Sequence, residues 1–314
     1  MRKSRIILLF LIGGILFFFT KGHAQTEPMY SQYMYNMLGV NPAYAGNREA
    51  TSFNFFQRNQ WIGLKGAPKT TSLSIDQAIK DGKIGWGFQA YDDRLGVESA
   101  SGFNSIISSR VRVSDKGILS AGISVGLMNY RISLNDVLNR YTPTDPSFIS
   151  SAKPSQWNPI LGMGLYYNTD KLYLGISTPS ILRSRLAKYE NFVSGIQKVD
   201  DFHLFTTAGF VFELNEELKL KPSTMLKVVS GAPIEADFNL NIWLRDLIGI
   251  GGSYRTGDAF VGMVEVQATN NLRFGYAYDM PFSPLKYYAR GSHELMLRYE
   301  FGNFKTRIKS TRYF

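Results

Sequence analysis

From residue 50 onward the apolar side chains recur with a period of two, and the apolar face of each such segment carries no charge. In "ILSAGISVGLMNY", Leu119, Ala121, Ile123, Val125 and Leu127 oppose Ser120, Gly122, Ser124 and Gly126. In "ADFNLNIWLRD", Ala236, Phe238, Leu240, Ile242 and Leu244 oppose Asp237, Asn239, Asn241 and Arg245. "LKLKPSTMLKVV" sets Leu218, Leu220, Leu226 and Val228 against Lys219, Lys221, Ser223 and Lys227. "HELMLRYEF" sets Leu295, Leu297, Tyr299 and Phe301 against Glu294, Met296, Arg298 and Glu300. Such alternation belongs to strands with one apolar and one wet face. A soluble sandwich shows it in some strands. A membrane barrel shows it in all of them, lipid outside and a polar lumen within.

The connections give a second, independent signal. Short ones (80–83, 114–117, 168–171, 215–217, 245–246, 269–271) alternate with longer ones (58–69, 92–99, 130–156, 178–201, 229–235, 280–291), and only "RTGD" at 255–258 breaks the rule. Outer-membrane barrels have short periplasmic turns on one rim and long extracellular loops on the other. The expected fold is all-β: a transmembrane antiparallel β-barrel of about fourteen strands, spanning residues 50–302 without an internal domain boundary. An even count puts both chain ends of the barrel on the periplasmic rim. Closure also removes the exposed edges that so many strands would leave. The chain has 18 Tyr and 22 Phe. Tyr91, Tyr130, Tyr166, Tyr167, Tyr254, Tyr276, Tyr278 and Tyr299 fall near strand ends, where interfacial girdles are expected.

Residues 1–24 read as a secretory signal peptide. A basic head (Arg2, Lys3, Arg5) precedes the uncharged apolar run 6–19, and the small residues Gly22 and Ala24 precede an expected cut before Gln25. The apolar run is short for a spanning helix. The formal charge of +10 includes the four cations of this leader, and the remainder is scattered rather than striped, so nucleic acid is not an expected partner. With no cysteine, disulfides and thiolate metal sites are excluded. No phosphate loop, metal cluster or dinucleotide fingerprint points to a cofactor. Residues 303–314 form a basic tail, expected on the periplasmic side.

Between leader and first strand lies "MYSQYMYNMLGVNPAYAG", residues 29–46. Met29, Tyr30, Tyr33, Met34, Met37 and Leu38 recur at helical spacing, and Asn41-Pro42 discourages helix beyond Val40. The expectation is a short amphipathic helix folded into or across the periplasmic mouth. Its apolar side would pack on the barrel wall and, if the segment also docks a partner, its exposed side would be the polar one, Ser31, Gln32, Tyr35 and Asn36. Residues 25–49 would act as a plug or as a docking surface. The candidate residues for either role are Met29, Tyr30, Gln32, Tyr33, Met34, Asn36, Met37, Asn41, Pro42 and Tyr44.

Several landmarks resemble the PorP/SprF family of outer-membrane proteins of the Bacteroidetes type IX secretion system. They are Gln25 and Pro28, Tyr30-Ser31-Gln32-Tyr33, and Asn41-Pro42-Ala43 with Gly46. The likeness continues at "RNQWIGLKGAPKT" (58–70), "GWGFQAYDDRLG" (85–96), "GYAYD" (275–279) and "GSHELML" (291–297), so it spans nearly the whole chain after the leader. The start is "QTEP" rather than the family's shorter form, and the basic tail runs past the strand where many members end. The resemblance implies a non-enzymatic barrel of the secretion and gliding apparatus in the outer-membrane lipid. It also implies partners: periplasmic lipoproteins, and the C-terminal sorting domain of a secreted adhesin. From a different class, the same barrel would suit a channel for small or hydrophobic solutes. A channel needs a continuous opening past the N-terminal segment, whereas the secretion component tolerates a plugged one.

The remaining constellations are weak. Asp92-Asp93-Arg94 lacks the ligand spacing of a calcium loop and reads as a solvated loop with a local ion pair. His293 sits beside Ser292 and Glu294, but adjacent strand residues point to opposite faces, which separates a nucleophile from its base. His203, on the wet face of its strand, has no evident serine and acid partner. The charged faces (Lys219, Lys221, Lys227, Asp237, Arg245, Glu265, Arg273, Asp279, Glu294, Arg298, Glu300) read as lumen ion pairs that hold a narrow barrel.

Overall fold

A computed structural model describes residues 29–48, 50–79, 81–132, 155–181, 203–229 and 232–301. The expected leader, the basic tail and most of loops 130–156 and 178–201 lie outside the described residues. The strands in chain order are β1 (Thr51–Asn59), β2 (Lys69–Ile79), β3 (Ile84–Leu95), β4 (Glu98–Arg112), β5 (Ile118–Ile132), β6 (Ser155–Asn168), β7 (Leu172–Thr178) and β8 (His203–Phe210). They continue as β9 (Phe212–Glu213), β10 (Leu218–Val229), β11 (Glu235–Leu244), β12 (Ile248–Arg255), β13 (Ala259–Gln267), β14 (Leu272–Pro281) and β15 (Ser292–Phe301). Neighbours pair antiparallel in sequence order, β1 pairs β15, and β10 pairs β11. The ring is therefore closed, with fourteen staves. The two-residue β9 continues the register of β8 along β10, Leu220 opposing Phe212 and Ser223 opposing Gly209.

The faces follow the sequence phase. Ile123 is 50 % and Leu240 47 % exposed on the outer wall, while Ser120, Asn239 and Asn241 are buried inside. In water an apolar belt of this kind would be a liability; in a bilayer it is the solvent-matched surface. No helix among the described residues is long and apolar enough to cross a membrane. The strands are the crossing elements.

Three readings of detail change. The expected long loop 92–99 is ladder: β3 and β4 pair through Leu95 and Glu98, and only Gly96 and Val97 turn the chain. Gly96 has φ +60, which a glycine adopts without strain, so so tight a reversal is possible. Tyr91, Tyr130 and Tyr166 are not girdle residues. Tyr166 is buried inside against Tyr44 and Tyr173, and Tyr91 and Tyr130 pack on the inner cluster of Ala100, Met128 and Ile160. Position near a strand end did not report which face they took. Arg245 lies on the exposed short-turn rim, paired with Glu217, and not in the lumen.

Candidate functional site

The lumen is occupied by residues 30–48. The expected single helix is replaced by three short turns: a 3-10 turn at Tyr33–Tyr35, α1 at Met37–Val40, and a 3-10 turn at Pro42–Tyr44. Asn41 divides the last two. Its backbone is extended, its side-chain oxygen accepts from the Ala43 N–H at 2.9 Å, and Pro42 supplies the fixed φ of a first helical position. The Asn41 amide nitrogen also donates to the Leu165 carbonyl of β6 at 2.9 Å. One residue thus ends a turn, starts the next and ties both to the wall.

The strap does not stay at the mouth. Beside the long-loop rim, the Ser31 and Gln32 N–H groups both donate to the Glu294 carboxylate at 2.8 Å. Tyr33 Oη then accepts from Asn239 of β11 at 2.7 Å. Arg298 donates to the Tyr35 carbonyl, Ser177 to the Val40 carbonyl at 2.8 Å and Ser108 to the Ala45 carbonyl at 2.8 Å. The Gly46 N–H reaches Asp76 at 3.0 Å, and Arg48 pairs with Glu300 at 2.5 Å beside the short-turn rim. The path runs the depth of the lumen. Wall side chains stand in for water along it, since buried backbone groups must find partners.

Nine of the ten candidate residues lie on this path and are buried, and the tenth, Met29, just ahead of it, is partly buried against the same cluster. The expected exposed edge is overturned: Ser31, Gln32, Tyr35 and Asn36 are buried like their apolar neighbours. The lumen wall is polar, so the polar side of the strap packs on it as readily as the apolar side packs on Phe56, Met296 and Tyr166.

Two glycines make the contact possible. A Cβ on Gly85 would collide with the Ala45 carbonyl, and one on Gly122 with the backbone of Ala43. The strap lies backbone against backbone there. Tyr44 meets Tyr166 edge-on with centroids 5.5 Å apart, and Tyr30 meets Phe56 in the same way at 5.6 Å.

A charged node anchors the long-loop end. Arg58 pairs with Asp279 at 2.7 Å and with Glu294 at 3.0 Å, and donates to Ser31 Oγ at 2.7 Å. Arg255 extends it, reaching Asp237 at 2.9 Å and Asp279 at 3.4 Å, and Lys227 closes on Asp237 at 2.7 Å and Glu235 at 2.6 Å. Lumen ion pairing was expected for most of these groups, and it is present for Lys219, Lys227, Asp237, Glu265, Arg273, Asp279, Glu294 and Glu300. Lys221 instead lies over the Trp243 ring, 4.5 Å from its centroid. Arg58 and Arg255 are missing from the expected set because each was read as the first residue of a loop. Running the period-two phase one step further, from Ser52, Asn54 and Phe56 to Arg58, would have placed it inside.

His293 stands apart from this network. Ser292 and Glu294 point inward and are buried, while His293 faces outward and contacts the Tyr276 hydroxyl at 2.6 Å. The local pair Asp92–Arg94 is present at 2.8 Å. Among the described residues no group of three His, Asp or Glu side chains could hold a metal ion.

The sequence profile of a family described as "Type IX secretion system membrane protein PorP/SprF" matches residues 22–299. The chain belongs to the PorP/SprF family. As a PorP/SprF protein it is an outer-membrane component of the type IX secretion system. No curated protein matches it in sequence. Among solved structures it is similar to the outer-membrane protein Omp33 of Acinetobacter baumannii, at 7 % identity and TM-score 0.46, covering 81 % of this chain and 99 % of that one. It is also similar to the monoaromatic hydrocarbon channel CymD, at 11 % identity and TM-score 0.47, covering 90 % and 96 %.

Proposed function

We propose that this PorP/SprF barrel is a non-enzymatic partner-binding component of type IX secretion, that residues 30–48 are its built-in plug, and that it engages the C-terminal sorting domain of a secreted adhesin, periplasmic lipoproteins of the apparatus, or both. The observation that carries the reading is family membership over nearly the whole chain. The strap supports it from the physical side. A channel needs a continuous lumen, and here a chain segment with its own hydrogen bonds to β2, β4, β6, β7, β11 and β15 fills it. Docking through Gln32 or Asn36 would require the segment to leave the lumen, so partner recognition is assigned to the rims and loops.

The test is a gentle-detergent pull-down of the full-length protein from its native host, paired with planar-bilayer recording. Recovery of a sorting domain or a secretion lipoprotein, with no steady conductance, is the expected result. Recovery of neither, together with a stable open pore, would replace this reading with the solute channel.

A further inference from the structure

The motif "RNQWIGLKGAPKT" is used only in part by the lumen, which takes Arg58. The rest builds a cleft of about 630 Å³ at the long-loop rim, between the β1–β2 loop and the Gly96-Val97 turn. Trp61, Leu64, Lys65, Lys69 and Arg94 are among its lining residues. We propose that this cleft binds the phosphorylated headgroup of an outer-leaflet glycolipid.

Position comes first. Along β2 the outward positions are Lys69, Thr71, Leu73 and Ile75, and along β3 they are Arg94, Asp92, Ala90 and Phe88. Leu73 and Phe88 belong to the exposed apolar belt. Lys69 lies four residues beyond Leu73, about 13 Å along the strand. Thr71 and Asp92 mark the change from apolar to polar. The cations therefore stand just beyond the hydrocarbon band, on the lipid-facing side, at the rim whose long loops face the cell exterior in outer-membrane barrels.

Charge comes second. Lys69 and Arg94 are direct cross-strand partners, a pairing of like charges that destabilises a sheet unless an anion relieves it. Arg94 donates through Nε to Asp92 at 2.8 Å. Lys65 and Lys69 have no ion pair among the described residues. Of the three cations only Arg94 is paired with a carboxylate among the described residues, and that carboxylate, Asp92, also accepts from Ser101 at 2.6 Å. A phosphate that is itself fixed at headgroup depth fits that surplus better than a soluble anion, because the bilayer holds it at the cleft.

Construction comes third. Trp61 has φ +47, a conformation that a bulky residue adopts only when its surroundings impose it. Its N–H donates to Ser292 Oγ at 3.2 Å, and its carbonyl accepts from Leu64 at 3.1 Å. Next to it, Ile62 exchanges backbone bonds of 2.8 Å with Arg290 and Gly291. The Gly96 N–H donates to the Gly66 carbonyl at 2.8 Å, fixing the opposite wall. A loop braced on both sides holds a half-exposed indole at the cleft, where its face can lie against a sugar ring while its edge stays in the interface.

The experiment uses the full-length protein in detergent micelles, titrated with bisphosphorylated lipid A and, separately, with the dephosphorylated glycolipid, and read by native mass spectrometry. The variants are Lys65→Gln/Lys69→Gln/Arg94→Gln, and, as a control at the short-turn rim, Lys171→Gln/Arg245→Gln. Each is first checked for heat-modifiable gel migration, and Lys69→Gln alone is carried as the mildest form. The expected result is about tenfold weaker binding of bisphosphorylated lipid A to the triple variant, a smaller loss for Lys69→Gln, and wild-type affinity for the control. Dephosphorylated lipid should bind the wild type as weakly as the intact lipid binds the triple variant. Equal affinity of wild type and triple variant, or of the two lipids, would overturn the proposal. Tighter, equally charge-dependent binding of a soluble polyglutamate peptide would overturn it in favour of an acidic polypeptide.

Discussion

Replacing Arg58 by Met should cost about 3 kcal/mol of barrel stability. Arg58, Asp279 and Glu294 are all buried, with Glu294 at 0 % exposure. Removing one partner of a buried ion pair leaves an uncompensated charge, typically about 3–5 kcal/mol. The lower end applies because Asp279 keeps Arg255 at 3.4 Å and Ser31 Oγ at 2.7 Å, and Glu294 keeps the Ser31 and Gln32 N–H groups. Arg58→Lys should fall between, since a point charge cannot serve Asp279 and Glu294 in the forked geometry. Adding Glu294→Gln to Arg58→Met removes the stranded charge, so the double variant should be less destabilised than the two singles summed, by roughly 1–2 kcal/mol. The assay is reversible guanidinium unfolding in detergent, followed by fluorescence of the four tryptophans, of which Trp243 is buried in the lumen. A loss under about 1 kcal/mol for Arg58→Met, or additivity within about 0.5 kcal/mol, would refute the idea that this node holds the strap end.

Other outcomes follow from the same geometry. Ile123→Arg or Leu240→Arg should cost about 2–4 kcal/mol in a bilayer if these side chains meet its midplane, and membrane insertion assays should show it. Gly122→Ala should cost about 1–3 kcal/mol by forcing Ala43 off the wall, whereas Gly262→Ala, with nothing within 4 Å of the added carbon, should be close to neutral in the same unfolding measurement. Tyr33→Phe should cost about 1 kcal/mol, because Asn239 loses its 2.7 Å acceptor and retains only the Ser223 carbonyl at 3.4 Å. Gln32→Ala with Asn36→Ala should destabilise the barrel and raise protease access to residues 30–48, because two buried side chains and the Gln32 Nε2 bonds to Glu294 are lost; unchanged stability would mean the buried polar side of the strap contributes nothing.

The wall of this protein is legible in its sequence because the period of a strand is two, and a closed barrel in lipid has one solvent on each side. Leu119 to Leu127 and Glu294 to Phe301 needed no tertiary information to be assigned inward or outward. The leading stretch was equally conspicuous as something that would not remain exposed. What periodicity could not supply was its partners. Inside a polar lumen both sides of a segment can be buried, so the spacing of Met29, Tyr33 and Met37 predicted a face that has no meaning there. The three short turns exist because wall residues far away in sequence, Glu294, Arg298, Ser177 and Ser108, take the backbone bonds that a helix would have kept to itself. Likewise the alternation ended one step early at Arg58 and Arg255, where turn chemistry took over in the reading but the strand phase persisted in space. Local sequence determined which residues meet lipid, through the fixed geometry of the pleat. Only closure of the ring decided which inward residues face one another, because β15 meets both β1 and the strap through contacts separated by more than two hundred residues.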